Sequence, residues 1–191
     1  MKKVLLDCGA NKGQSIEWFM KNRDDSGEYE VHCFEPIPRF EPHFENKNLT
    51  FHSDAVWVED GTIDFYDKGG LSSTLYANKT TGGKGTRITV SCIDFSKFIK
   101  DNFKLSDYII VKMDIEGAEY KVIEKMLEKR TFEYIDEFYV EFHGAKIKDL
   151  YPYYDEVKET TGLSAKNHLI QEIDKFDLNW AVYPYNNWGH F

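Results

Sequence analysis

The chain has 191 residues, 41% of them apolar and 16% aromatic, which suffices for one domain with its own core and excludes a disordered chain. Its 24 basic residues against 33 acidic ones leave a net charge of −9, which speaks against a broad nucleic-acid or anionic-membrane surface. Only Val4-Leu5-Leu6 precede Asp7 as an apolar run, too short for a signal peptide or anchor, and Cys8, Cys33 and Cys92 match no metal spacing, so a cytoplasmic protein with buried free thiols is expected.

Lys3–Cys8 reads as an apolar strand that ends in the turn Asp7-Cys8-Gly9-Ala10-Asn11-Lys12-Gly13. A reversal this tight needs glycines. A dinucleotide turn would carry its first glycine where Asp7 stands. An acid there does not suit a pyrophosphate; it suits a ligand with an ammonium or sulfonium group. A helix follows from Gly13, with Ile16, Phe19 and Met20 on one face, and stops at Asp24-Asp25-Ser26-Gly27. Tyr29–Phe34 is a second strand, closed by Glu35-Pro36, because proline cannot continue a central ladder. Residues 38–45 read as a short helix and 49–52 as a third strand. Strands alternating with helices predict a parallel sheet with right-handed crossovers.

The pattern then changes. Residues 55–58 and 62–66 flank Glu59-Asp60-Gly61, a hairpin signal. Residues 68–86 form a long Gly-rich loop, either a cover over the site or a surface excursion. Residues 88–92 read as a strand, 93–103 as a helix, and Tyr108–Met113 as a strand buried on both faces. Asp114-Ile115-Glu116-Gly117 closes that strand. A helix over 118–127 and a strand over 134–142 follow, ending at His143-Gly144. Helices near 148–160 and 165–175 and a strand near 178–183 complete the chain, with no internal repeat or linker.

Ligands of open α/β sheets sit beyond the carboxyl ends of the strands. Here those ends carry Asp7, Glu35, Asp54, Asp114-Glu116 and Glu141-His143. Glu35 is placed to accept both ribose hydroxyls of a nucleoside, and Asp54 to accept from an adenine amino group. Each has a plainer reading: Asp7 as a cap for its own turn, Asp54 as a solvated acid, Glu119 as a first-turn helix acid, and Glu141 with His143 as a structural network.

The runs Leu6-Asp7-Cys8-Gly9-Ala10-Asn11-Lys12-Gly13, Phe34-Glu35-Pro36, Asp54-Ala55-Val56, Ser72-Ser73-Thr74-Leu75 and Val90-Ser91-Cys92-Ile93-Asp94 resemble the FkbM family of class I S-adenosylmethionine-dependent methyltransferases. So do Lys112-Met113-Asp114-Ile115-Glu116-Gly117-Ala118-Glu119 and Val140-Glu141-Phe142-His143, and the resemblance covers roughly residues 1–144. It implies a single-domain Rossmann-like α/β fold: a mostly parallel central sheet flanked by helices, with a β-hairpin insertion after the third strand. It implies S-adenosyl-L-methionine as cofactor, held by Asp7, Gly9, Ala10, Asn11, Gly13, Glu35, Pro36, Asp54, Ala55 and Asp114. It also implies O-methylation of a hydroxyl on a sugar, glycan or small metabolite, with His143, Asp114, Glu116 and Glu141 as the catalytic group. His143 is the first candidate for general base, since an unperturbed imidazole titrates near neutral pH. Asp114 is the second; Glu116 and Glu141 would hold the imidazole tautomer or bind acceptor hydroxyls. The tail from residue 145 departs from the family pattern, and its Tyr151, Tyr153, Tyr154, Trp180, Tyr183, Tyr185 and Trp188 would suit a carbohydrate acceptor or plain packing.

Four other readings compete. A nicotinamide oxidoreductase is opposed by Asp7 and the acid-rich rim. An RNA ribose 2′-O-methyltransferase is opposed by the net charge. A non-catalytic nucleoside-binding module would bind the cofactor without consuming it. A metal set of Asp114, Glu116, Glu141 and His143 lacks a chelating pair at helical spacing, and methyl transfer needs no metal, so no metal is expected.

Overall fold

Strands that read as unbroken apolar runs are buried on both faces, and the computed structural model builds a central sheet from them. It describes residues 1–24, 26–69, 72–147 and 164–182. The helix expected over 148–160, and every tail aromatic named above except Trp180, lie outside these residues.

The strands in chain order are β1 (Lys3–Cys8), β2 (Tyr29–Phe34), β3 (Thr50–His52), β4 (Asp54–Trp57), β5 (Gly61–Asp67), β6 (Thr86–Asp94), β7 (Tyr108–Met113), β8 (Glu137–Val140) and β9 (Asn179–Val182). The helices are α1 (Gln14–Asn22), α2 (Phe95–Asn102), α3 (Glu119–Glu128) and α4 (Ala165–Ile173). Residues 38–43 form a 3-10 turn where the sequence suggested a helix, with Pro42 inside it. The main sheet has six strands, all parallel, in the order β3-β2-β1-β7-β8-β9. This is an α/β, Rossmann-like sheet flanked by helices. Its order reverses between β1 and β7, which are the first strands of its two halves.

Alternation along β1 divides the core. Val4, Leu6 and Cys8 pack on one face with Phe95 and Ile99 of α2, Val122 and Ile123 of α3, and Leu169 of α4. Leu5 packs on the other with Ile16 and Phe19 of α1. Burying side chains of this size stabilises the fold by about 1.5–3 kcal/mol each. Cys8, Cys33 and Cys92 are buried free thiols, and burial raises all three above the ordinary thiol value. Among the described residues no helix is long and apolar enough to cross a membrane.

The hairpin expected around Glu59-Asp60-Gly61 is corrected. Its two strands exist as β4 and β5, but they do not pair with each other. β6 lies between them, parallel to β4 and antiparallel to β5, in a second sheet of order β4-β6-β5. The hairpin in this region is β5–β6. Nine-residue β6 satisfies both neighbours, so the turn serves to change sides of it. β6 also runs on to Asp94, whose carboxylate caps α2 by accepting from the Lys97 N–H at 3.0 Å. The helix therefore starts at Phe95, two residues later than expected.

Candidate active site

A parallel sheet whose strand order reverses leaves a crevice where the two outgoing connections part. In this protein a cavity of about 400 Å³ fills the crevice at the carboxyl ends of β1, β2 and β7. Gly9, Ala10 and Asn11 after β1, Glu35 and Pro36 after β2, and Ala55 of β4 line one end. Asp114, Glu116, Glu141 and His143 line the other. Asp7, Gly13 and Asp54 are outside the lining.

The reason lies in strand parity. The register sets Asp7 opposite Lys112, so the two side chains share the face that carries Leu5 and α1. Asp7 is wholly buried there. It accepts from the Ser15 hydroxyl in α1, and Lys112 Nζ stands 3.1 Å from its other oxygen. Lys112 also donates to the Gly9 carbonyl at 3.1 Å and reaches to 3.7 Å from Asp114. Burial works against the Lys112 charge, but Asp7 and Asp114 outweigh it and hold the ammonium above its usual value. Asp7 thus braces the turn from below. Gly13 ends that turn at φ +83 as the residue capping α1. Asp54 opens β4 opposite Ser91, and burial followed by Asp60 raises its carboxyl above the usual range.

Gly9 sits at φ +82, and a Cβ built on it would lie 1.9 Å from the Asp114 carbonyl oxygen. Only glycine lets the β1 turn lie against the end of β7. The Gly9 and Ala10 N–H groups both donate to the Phe34 carbonyl, at 3.0 and 3.1 Å, which brings Glu35 beside them. Glu35 is 6% exposed. One oxygen accepts from the Asn11 N–H and the other from the Ile37 N–H, each at 3.0 Å. Burial pushes this carboxyl up to about 7 against those two backbone donors and Lys112. Each oxygen keeps a free lone pair.

The opposite end is built around His143, 2% exposed. β7 and β8 pair in parallel, and the ladder continues past β8 through the Glu141 N–H, which donates to Met113 at 3.0 Å. Glu141 and His143 therefore emerge beside Asp114. Nδ1 of His143 lies 2.9 Å from Glu119 Oε1. Nε2 lies 3.2 Å from Glu141, 3.3 Å from Glu116 and 3.7 Å from Asp114. Burial opposes an imidazolium, but Glu119, Glu141 and Glu116 outweigh it and raise its pKa to about 10. The surrounding carboxylates thus favour positive charge at this ring. Glu116, in the left-handed region at φ +57, has its carboxyl raised by burial, with His143 and Lys79 pulling the other way.

Residues 72–80 pack against this end, while residues 81–84 are exposed. The Thr74 hydroxyl donates to the Glu116 carbonyl at 2.6 Å. The side chain of Lys79 is completely buried and pairs with the Glu116 carboxylate. The Thr80 N–H donates to the Lys146 carbonyl at 2.8 Å, just past His143.

Sequence reasoning missed Ser15, Lys79 and the part played by Glu119. Glu119 is wholly buried and accepts from the N–H groups of Ile115 and Gly117, at 3.0 and 2.8 Å, as well as facing His143. The signal for it was present, in an acid five residues after Asp114 and directly behind a glycine turn. Nothing in the loop sequence singles out Lys79. Trp180 of β9 packs against the core and donates from its indole N–H to Asp174 at 2.9 Å.

The methyltransferase FkbM domain, as a family model, matches residues 7–170. No curated protein and no solved structure matches the chain.

Proposed function

The chain belongs to the FkbM methyltransferase family, and on that premise we propose that it uses S-adenosyl-L-methionine to methylate a hydroxyl of a sugar or small hydroxylated metabolite. The observation that carries this reading is that one cavity is lined both by Glu35 with the Gly9–Asn11 turn and by the His143 acid–imidazole cluster.

The residues fit the donor. The two free lone pairs of Glu35 match a ribose diol. Asn11 Oδ1 is buried without a partner and lines the same end, so an ammonium or hydroxyl there would satisfy it. The volume is that of a site for a ligand of this size. When bound, the donor supplies an electrophilic methyl group on a sulfonium, and the acid rim favours that charge.

The other residues act on the acceptor. The hydroxyl oxygen must approach in line with the carbon–sulfur bond, and such positioning is worth roughly 7–11 kcal/mol of barrier. As an imidazolium, His143 orients the hydroxyl and offsets the charge left on its oxygen as the proton leaves. Glu116, the carboxylate whose proton affinity burial raises, takes the hydroxyl proton. With the donor bound, the hydroxyl oxygen that Glu116 has relieved of its proton would take the methyl group, and the donor would be left as a neutral thioether. Glu141 and Asp114 keep the imidazole charged and aimed. A purely carboxylate end would lack that charge.

Calorimetric titration with S-adenosylmethionine, its demethylated product and a nicotinamide dinucleotide tests the first half. Binding of the first two alone is expected, and binding of the dinucleotide alone overturns the reading. Turnover is then screened on sugars, nucleosides and RNA. In Glu116→Gln it is expected to fall by about 10²–10⁴-fold with donor affinity unchanged.

A further inference from the structure

We propose that Asp114, Glu141 and His143 together form a binding site for one divalent cation at the acceptor end of the cavity. One carboxylate oxygen from each acid and one imidazole nitrogen lie within 4.8 Å of one another. Ligand atoms about 2.1 Å from a shared ion sit roughly 3–4 Å apart, so small side-chain rotations close the set. The three come from the ends of two neighbouring strands, and for this reason no chelating pair at helical spacing exists in the sequence.

Two further observations point to an ion. The first is Glu119, which is not itself a ligand. Its carboxylate is fixed by two backbone N–H groups and occupies Nδ1 of His143. The ring is thereby turned with Nε2 towards Asp114 and Glu141. A buried carboxylate behind an imidazole is how proteins orient a metal-binding histidine. The second is charge. Asp7, Asp114, Glu116, Glu119 and Glu141 face only Lys79, Lys112, Lys146 and the His143 ring among the described residues. That leaves the cluster one positive charge short with the ring protonated, and two once Nε2 gives up its proton to a ligand. Lys79 is committed to Glu116 and Lys112 to Asp7, while Lys146, half-exposed, stands 3.6 Å from Glu141.

One imidazole with two carboxylates suits Mn²⁺ better than Mg²⁺, which prefers an all-oxygen set, or Cu²⁺, which prefers more nitrogen. The remaining coordination positions open on the cavity. There the ion takes the place of the proton on Nε2 as the positive charge beside the acceptor oxygen. That role rests on the methyl-transfer reading, whereas the ligand set does not.

The test is a Mn²⁺ titration of the full chain, without donor or acceptor, followed by loss of the free-ion electron paramagnetic resonance signal. One ion per chain is expected to bind below about 1 mM. Glu119→Gln is expected to weaken binding about 10- to 100-fold through the imidazole alone, and Asp114→Asn and His143→Asn at least as much. Wild-type unfolding temperature rises with Mn²⁺, and that of the variants does not. Because His143 is buried and its variant can unfold, half-buried Asp114 is the deciding position. No stoichiometric binding, or binding unchanged in Asp114→Asn, overturns the site. Donor affinity, measured on the same chelator-treated protein, separates the two readings. Intact donor binding without an ion sinks only the ion, and an ion without donor binding sinks only the methyl-transfer reading.

Discussion

Replacing Gly9 with alanine tests the close approach on which the cavity depends. Gly9 and Gly27 have nearly the same backbone conformation, φ +82 and +71. A Cβ on Gly27 meets nothing within 4 Å, whereas on Gly9 it meets the Asp114 carbonyl oxygen at 1.9 Å and its carbon at 2.9 Å. Both variants bear the left-handed penalty, about 1–2 kcal/mol. Gly9→Ala must in addition part the β1 turn from the end of β7. The bonds at risk are Gly9 N–H and Ala10 N–H to Phe34, and Asp114 N–H to Cys8, all between 3.0 and 3.1 Å. At about 1 kcal/mol net for each, Gly9→Ala is expected to lose roughly 4–5 kcal/mol in total. Urea unfolding of both variants reads this directly, with an unchanged denaturant slope as the check on two-state behaviour. In thermal melts the extra loss corresponds to roughly 5–10 °C. Donor affinity is expected to disappear in Gly9→Ala and to persist in Gly27→Ala. Equal losses of stability in the two variants would refute the argument, because only the contact with Asp114 distinguishes them.

Two other predictions concern charge. Glu137 is buried, takes a two-pronged ion pair from Arg23 at 2.7 and 3.0 Å and accepts from the Tyr108 and Tyr139 hydroxyls. Glu137→Gln is expected to destabilise by about 3 kcal/mol, the low end for breaking a buried pair because Arg23 is partly exposed. The cluster stands at the start of β8, at the opposite end of the strand from the cavity, so donor affinity is expected to be unchanged; lost affinity with intact stability would show a coupling the fold does not explain. For His143 the folded pKa of about 10 lies above the ordinary 6.5. The folded state therefore holds the proton more tightly, and the resulting stability is fully present below pH 6.5 and lost as pH rises to about 10. Unfolding of chelator-treated wild type and His143→Gln from pH 6 to 10.5 is expected to converge towards alkaline pH, and a constant difference across that range would remove the imidazolium.

The strands of the main sheet were legible where packing leaves no choice. β1, β2 and β7 are each buried over their last four residues, and their sequence-read bounds are those of the structure. β8 was read too long at both ends, because Tyr134 belongs to a 3-10 turn before the strand begins at Glu137 and the strand stops at Val140. The false hairpin has a different cause. A turn signal fixes a change of direction, but pairing is decided by which edge is left to cover, and β6 offered two. The site was half legible. The rule that ligands meet strand ends found both ends of the cavity, while Asp7 follows the parity of Leu5 and points under α1 instead. Lys79 was invisible because a lysine in a Gly-rich loop carries no local sign of being buried.

The acids at the strand ends therefore divide by parity and depth into two kinds. Asp7 and Glu119 are wholly buried, tied by hydroxyl, ammonium or backbone donors, and act on other residues: Asp7 on Lys112, Glu119 on His143. Glu35, Asp114, Glu116 and Glu141 border the cavity. Lys112 joins the two kinds, since one ammonium contacts Asp7, the Gly9 carbonyl and, more distantly, Asp114. The turn beside Glu35 is in this way fastened to Asp114, next to His143, by a single buried charge. Carboxylates this close repel one another unless cations intervene. Cations do intervene: Lys112 from inside β7, His143 from after β8 and Lys79 from the 68–86 loop. An acid rim of this kind is stable only with positive charge at its centre, and the same requirement favours a sulfonium donor over an anionic dinucleotide.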